Sequence, residues 1–143
     1  MPQKLDKTDS SFELLHAADA VSHNAYSKYS NFSVGAAVRT RIGKTYVGCN
    51  VENASYPITT CAERNAISAA IAAEGPDVQI VEIAISAHNG SIASPCSPCG
   101  ACRQAICEIA PGANVVFLDN DLEPVRATAE ELLPGGFNFK RAG

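Results

Sequence analysis

Two short runs hold the residues best suited to chemistry: Cys61-Ala62-Glu63, and Pro98-Cys99-Gly100-Ala101-Cys102. Thiolate sulfur is a strong zinc ligand, and a catalytic zinc commonly keeps three protein ligands and a fourth position for water. Cys61, Cys99 and Cys102 supply such a set. Glu63, two residues after the first cysteine, is a candidate proton carrier beside the metal. Both runs fall at expected helix starts, where free N–H groups stabilise a thiolate. Arg64 and Arg103, each next to a cysteine run, can offset the excess negative charge of three thiolates by donating to sulfur.

Each of these readings has a rival. Thr60-Cys61-Ala62-Glu63 also fits a capping box, in which the glutamate reaches back to the threonine N–H at a helix start. Cys61 taken alone could be a small buried residue. The C-x-x-C pair taken alone could be redox-active or belong to a closed structural zinc site. None of His16, His23 and His88 stands at zinc-finger spacing, however. Pro95-Cys96-Ser97-Pro98-Cys99 matches P-C-x-x-C as well, so two registers compete. The triplet Cys96, Cys99 and Cys102 also hints at an iron–sulfur pattern, which Cys107 misses as the next ligand. The later register places Cys99 and Cys102 in the first turn of one helix and leaves Cys96 in the preceding loop. Cys49 and Cys107 are expected to be packing residues.

The elements that must position these groups can be read from pattern and punctuation. A first helix is expected from Asp9 or Ser10 to about Ala25, with Phe12, Leu15, Ala18 and Val21 on an apolar stripe. Phe32–Thr40 and Thr45–Asn50 form a hairpin around Arg41-Ile42-Gly43-Lys44. Thr60–Glu74 is a second helix, alanine-rich and stopped by Gly75-Pro76. Val78–Ala87 reads as a central strand. Pro98–Ala110 is a third helix, with Ser97 as cap and Pro98 at its first position. Asn114–Leu118 is a buried strand, Pro124–Ala129 an edge strand, and Thr128–Leu133 a short helix. This order predicts a three-layer α/β/α sandwich around a mixed sheet of about five strands, with helix starts near the sheet ends where α/β proteins bind ligands.

The 143 residues suit a single domain, 1–143, with one core. Apolar residues make up 46% and charged residues 18%, which excludes a disordered chain. The net charge of −4 and the lack of a basic run argue against duplex nucleic-acid binding. No apolar run approaches the roughly 18 residues of a membrane span. Met1–Ser11 is polar and without a signal-like core, so a cytoplasmic location is expected. There the six cysteines stay reduced.

Together these residues resemble a known family. Cys61-Ala62-Glu63 with Pro98-Cys99-Gly100-Ala101-Cys102 is the all-cysteine form of the zinc deaminase signature. Tyr29-Ser30-Asn31-Phe32-Ser33-Val34-Gly35-Ala36-Ala37, Gly48-Cys49-Asn50-Val51-Glu52-Asn53-Ala54 and Glu131-Leu132-Leu133-Pro134-Gly135-Gly136-Phe137 add three further blocks in order. The chain is similar to the small, homotetrameric cytidine deaminases over nearly its whole length. The resemblance implies hydrolytic deamination of cytidine and 2′-deoxycytidine in pyrimidine salvage. It implies one Zn²⁺ per subunit on Cys61, Cys99 and Cys102, with Glu63 moving protons from water to the ring nitrogen N3 and the leaving amine. It also implies that Phe32 and Ala62 meet the base and that Asn50 and Glu52 bind the sugar. Phe137 would cap a neighbouring subunit's pocket in a homotetramer, with Tyr56 near the subunit contacts. Such an enzyme acts on a small nucleoside, with no nucleic acid or membrane partner. Departures are Ser94-Pro95-Cys96-Ser97 ahead of the cysteine pair and the polar tail after Phe137. Other readings are a deaminase of a cytosine antibiotic of the blasticidin S type, a polynucleotide-editing deaminase, or a structural metal-binding interaction module. The Asn50-to-Asn53 segment favours a plain nucleoside over the antibiotic.

Overall fold

The structure, a computed structural model, describes residues 2–139. The expected tail beyond Phe137 therefore lies partly outside the described residues. The strands are β1 (Gln3–Lys4), β2 (Phe32–Thr40), β3 (Thr45–Cys49), β4 (Ile80–Asn89), β5 (Ile92–Ser94), β6 (Asn114–Leu118) and β7 (Pro124–Thr128). The helices are α1 (Ser11–Ser22), α2 (Ala62–Glu74), α3 (Gly100–Ile109) and α4 (Ala129–Leu132), with a 3₁₀ turn at Tyr56–Ile58. One sheet runs in the order β1-β7-β6-β4-β2-β3, and β5 pairs with β4. β4 and β6 are parallel, and the remaining pairs are antiparallel. The sheet is mixed, as expected, but has seven strands rather than about five. The additional ones, β1 and β5, are two and three residues long and exist as edge pairings with β7 and β4.

Side chains alternate across the pleat, so β2 serves both faces of the sheet. Ala37 of β2 joins Ala84, Val116 and the α1 residues Leu14, Leu15 and Ala18. Ala36 and Val38 face the other way, toward Ala62, Ala66, Ile67 and Ala70 of α2 and Ile106 of α3. Central strands covered on both faces explain the near-continuous burial of β2 and β4. The layers are α1, the sheet, and α2 with α3 and α4, which is the expected α/β/α sandwich.

Two glycines let the helices reach the sheet backbone. A Cβ on Gly35 would stand 1.9 Å from the Ala18 carbonyl oxygen in α1, and one on Gly48 would stand 2.4 Å from the Ala66 nitrogen in α2. Any side chain at Gly48 would push α2, and the residues at its start, away from β3.

The helix that leads into this framework is fixed by charge. Asp9 accepts from the Ser11 N–H at 2.9 Å and from Arg126 Nη2 at 2.7 Å. Ser11 Oγ donates to the buried Glu82 at 2.5 Å, and Glu82 also pairs with Arg39. A buried carboxylate held by a hydroxyl and a guanidinium avoids the cost of an unpaired charge.

The second and third helices begin later than the sequence suggests. α2 has Cys61, not Thr60, at its cap, and α3 has Cys99 rather than Ser97. The first helical bonds run from Asn65 N–H to the Cys61 carbonyl and from Arg103 N–H to the Cys99 carbonyl, at 3.1 and 2.9 Å. The Pro98 carbonyl is taken by Arg103 Nε at 2.7 Å, which holds Pro98 outside the helix.

Candidate active site

The two helix starts with cysteine at the N-cap position converge. The sulfurs of Cys61, Cys99 and Cys102 all lie within 4.8 Å of one another. A tetrahedral zinc at about 2.3 Å from each sulfur spaces them roughly 3.8 Å apart, so the set closes on zinc with a small adjustment. Soft sulfur donors suit zinc over hard-ligand metals. Cys96 stands outside the cluster, which selects the later register of the two P-C-x-x-C matches. With three ligands grouped among the described residues, the arrangement is that of an open site and not a closed structural one.

Neither N-cap cysteine uses its side chain to cap its helix. The free N–H groups of both helix starts therefore favour negative charge here. Cys61 is held at about 5, chiefly because the Cys102 thiol donates to it, with Arg64 adding to the effect against burial. Cys102 is driven upward by that same interaction and by burial, so the negative charge favours Cys61 over Cys102. Arg64 Nη2 lies 3.5 Å from Cys61 Sγ, and the sulfurs hold its guanidinium firmly in the charged form.

Glu63 is buried, 4% exposed, with Oε2 3.5 Å from Cys102 Sγ. Burial raises its pKa, and the Cys61 charge adds to the rise; its own N–H, Cys102 and Arg64 pull the other way. The capping box that the sequence offers is not formed. The Thr60 N–H donates to the Val51 carbonyl at 3.0 Å, and Thr60 Oγ1 accepts from Asn65 Nδ2 at 3.1 Å. With the Thr60 N–H already partnered, the Glu63 carboxylate is left facing the sulfurs.

Arg103 takes a different course from Arg64. Its guanidinium donates to the Pro98 carbonyl, the Leu132 carbonyl at 2.7 Å and Ser97 Oγ at 3.3 Å, not to sulfur. It thereby fastens the loop before α3 to the end of α4. The next residue, Gln104, exchanges two hydrogen bonds with the Phe137 backbone at 2.9 and 3.0 Å.

A cavity of about 270 Å³ opens over the cluster, lined by Phe32, Asn50, Cys61, Ala62, Glu63 and Cys99 among others. Its wall also includes Cys96 and Thr59. Burial pushes the Cys96 thiol up to about 12, helped by the charges of Glu63, Cys61 and Cys99. Asn50 brackets Phe32: its Oδ1 accepts from the Val34 N–H at 2.8 Å and its Nδ2 donates to the Phe32 carbonyl at 2.9 Å. One N–H and one lone pair of the amide remain free.

Glu52 lies in an adjoining cavity of about 410 Å³ with Tyr29, Ser30, Asn53 and Tyr56; Thr59 borders both. Its carboxylate accepts from the Tyr29 and Ser30 N–H groups and from Ser30 Oγ, and the Ser30 hydroxyl foremost holds it below the usual carboxylate range. Phe137 is elsewhere, 72% exposed beside Cys107 and Leu133. The structure thus gathers Phe32, Asn50, Ala62, Glu63 and the three cysteines, sets Glu52 next door, and leaves Phe137 outside the cavity of its own chain. Thr59 and Gln104 escape sequence reasoning, since their positions depend on loop contacts, while Ser30 shows there only as part of the Tyr29-to-Ala37 block. Cys96 was visible through the competing register.

Residues 8–118 match the family described as the cytidine and deoxycytidylate deaminase zinc-binding region. Zinc is thus the metal of the family as well as the one the three sulfurs fit. A cytidine deaminase of Halalkalibacterium halodurans is 42% identical over 127 residues, covering 87% of this chain and 91% of the relative. The crystal structure of a cytidine deaminase from Burkholderia pseudomallei superposes with a TM-score of 0.79 at 40% identity, covering 90% of this chain and 100% of that one. That of Mycobacterium leprae gives 0.75 at 35% identity, covering 88% and 98%. A buried carboxylate beside three converging sulfurs, in a fold shared along almost its full length with these proteins, places the chain in the cytidine and deoxycytidylate deaminase family.

Proposed function

We propose that this enzyme, a zinc-dependent hydrolase, deaminates cytidine and 2′-deoxycytidine to uridine and 2′-deoxyuridine with release of ammonia. The observation that carries the reading is Glu63: buried, outside the Thr60 capping box, and 3.5 Å from a sulfur of the three-cysteine cluster. Cys61, Cys99 and Cys102 would hold the zinc, which would supply the Lewis acidity that lets water ionise near neutral pH.

Glu63 takes a proton from the attacking water as oxygen bonds to C4 of the ring. It delivers that proton to N3, then carries the proton of the new C4 hydroxyl to the exocyclic amine, so that the C4–N bond breaks, the C4 carbonyl forms and ammonia leaves. A raised pKa suits a carboxylate that must both accept and return a proton. Phe32, pinned through its carbonyl by Asn50, packs on the base beside Ala62. The cavity around the cysteines takes the base, and the one with Glu52 takes the sugar, Thr59 marking the passage between them. Arg64 steadies the sulfur charge from one side.

The same reading treats residues 1–143 as one domain, acting in pyrimidine salvage in the cytoplasm. It also takes the exposed Phe137 as a cap for a neighbour's pocket in a homotetramer, with Tyr56 near the contact. Among the described residues no helix is long and apolar enough to cross a membrane.

The test pairs zinc analysis with the absorbance change and ammonia release on cytidine and deoxycytidine. Zinc near one per chain and turnover of a nucleoside are expected. No ammonia from either nucleoside sinks the reading. Turnover of blasticidin S alone would move the substrate to the antibiotic, and iron with sulfide would replace the enzyme by a cluster-binding module.

A further inference from the structure

The loop before β2 contains a hydroxyl that bonds one residue lining each cavity, Glu52 and Phe32. Ser30 Oγ donates to Glu52 Oε2 and accepts from the Phe32 N–H at 2.9 Å. Glu52 Oε1 receives the Tyr29 and Ser30 N–H groups at 3.0 and 3.1 Å. A carboxylate oxygen has two lone pairs. Both on Oε1 are used, while Oε2 keeps one beside the Ser30 contact. That single lone pair is what remains for an incoming hydroxyl, and the Ser30 bond sets the direction in which it points. Without Ser30 the carboxylate loses a charge-assisted bond on Oε2, and only the two backbone donors on Oε1 then restrain its last torsion.

We propose that Ser30 is a positioning residue for sugar recognition: it orients Glu52 so that its one free lone pair accepts a hydroxyl of the substrate's pentose. This rests on the nucleoside reading above and deepens it. Ser30 acts through Glu52, so it governs the affinity for the sugar-bearing substrate and not the deamination step. The two backbone donors on Oε1 leave the loop itself anchored when the hydroxyl is removed.

The experiment uses the zinc-loaded enzyme with the Ser30→Ala, Ser30→Thr and Glu52→Gln replacements and the Ser30→Ala/Glu52→Gln pair. Cytidine turnover is measured in each, with inhibition by free cytosine as the sugar-less probe. Ser30→Ala should raise KM for cytidine about tenfold, the worth of one well-placed hydrogen bond, with kcat within about twofold. The cytosine inhibition constant should stay within about twofold, and Ser30→Thr, which keeps the hydroxyl, should behave as wild type. The double replacement should be no worse than Glu52→Gln alone, because both remove the same directed acceptor. Equal weakening toward cytidine and cytosine would show Ser30 supporting only the Phe32 backbone and would overturn the proposal. Additive losses in the double replacement would do the same. An unaltered enzyme that turns over no cytidine would fail the nucleoside reading itself, and the proposal with it.

Discussion

Two kinds of helix start coexist in this molecule. α4 is capped by its N-cap side chain, and α1, whose cap residue Ser10 makes no such bond, has its first N–H met by the residue before that cap. Asp9 accepts from the Ser11 N–H, and Thr128 Oγ1 accepts from the Glu131 N–H at 3.1 Å. α2 and α3 begin with cysteines that cap nothing. The contrast is sharpest between two segments of the same pattern, Thr60-Cys61-Ala62-Glu63 and Thr128-Ala129-Glu130-Glu131. In the second, threonine caps and the glutamates lie in the first turn on the surface. In the first, threonine is drawn into a bridge with Val51, and the register shifts so that a cysteine takes the cap position. A cap satisfies free N–H groups for stability. Leaving those groups open gives up that stabilisation and keeps a positive end of the helix aimed at thiolates. The capped starts hold the scaffold, and the open ones face the cysteine cluster.

The largest effects should come from breaking the open starts. Cys61→Ala, Cys99→Ala and Cys102→Ala should each lose bound zinc on metal analysis and drop cytidine turnover to background. Cys96→Ser should keep both, since its sulfur stands outside the cluster. Zinc loss in Cys96→Ser would restore the earlier cysteine register. Next comes the pair of glutamates. Glu63→Gln should retain zinc while kcat falls about 10³-fold, in the range for a lost acid–base group. Glu131→Gln, the counterpart at the capped start, should leave kcat and KM unchanged. If Glu63→Gln turned over cytidine within tenfold of wild type, the two glutamates would be equivalent and the distinction between the starts would collapse.

The sequence shows much of this, and its failures have a common cause. β2 and β6 are legible to the residue because their small and β-branched runs end in clear turn signals. The cysteine set and Glu63 are legible because their spacing is local. Thr60 was not, since its N–H is claimed by Val51 across a bridge that no local pattern reveals. Arg103 sits beside a cysteine in sequence, but the Leu132 carbonyl, 29 residues away, decides its direction. β1 and β5 are too short to show alternation and form only because a neighbouring edge is open. Glu52 and Phe137 carry the family's pattern, but their surroundings depend on loop contacts and on surface that sequence spacing does not describe.

Smaller effects should separate the capped starts from each other. At α1, the Ser11 N–H and Arg126 hold Asp9 at about 2, below its usual 3.8. A carboxylate depressed in the folded state contributes stability above its unfolded value and loses it as pH falls toward the folded one. Acid denaturation should therefore show an Asp9-dependent loss between about pH 4 and pH 2. In Asp9→Asn that part of the pH dependence should vanish while turnover at neutral pH persists. If the acid limb were the same in both proteins, charge would not be what fastens α1.

At α4 the expected change is smaller and purely thermodynamic. Thr128→Ala should cost about 1 kcal/mol in denaturant unfolding, the usual worth of an N-cap, with kinetics unchanged. Thr60→Ala should cost less. Its hydroxyl serves only the Asn65 amide, which keeps its 2.8 Å bond to the Cys49 carbonyl. Its backbone N–H, which makes the bridge to Val51, survives the substitution. A Thr60→Ala loss as large as that of Thr128→Ala would mean that α2 is capped after all, and Glu63 would then have to be reconsidered as part of that cap.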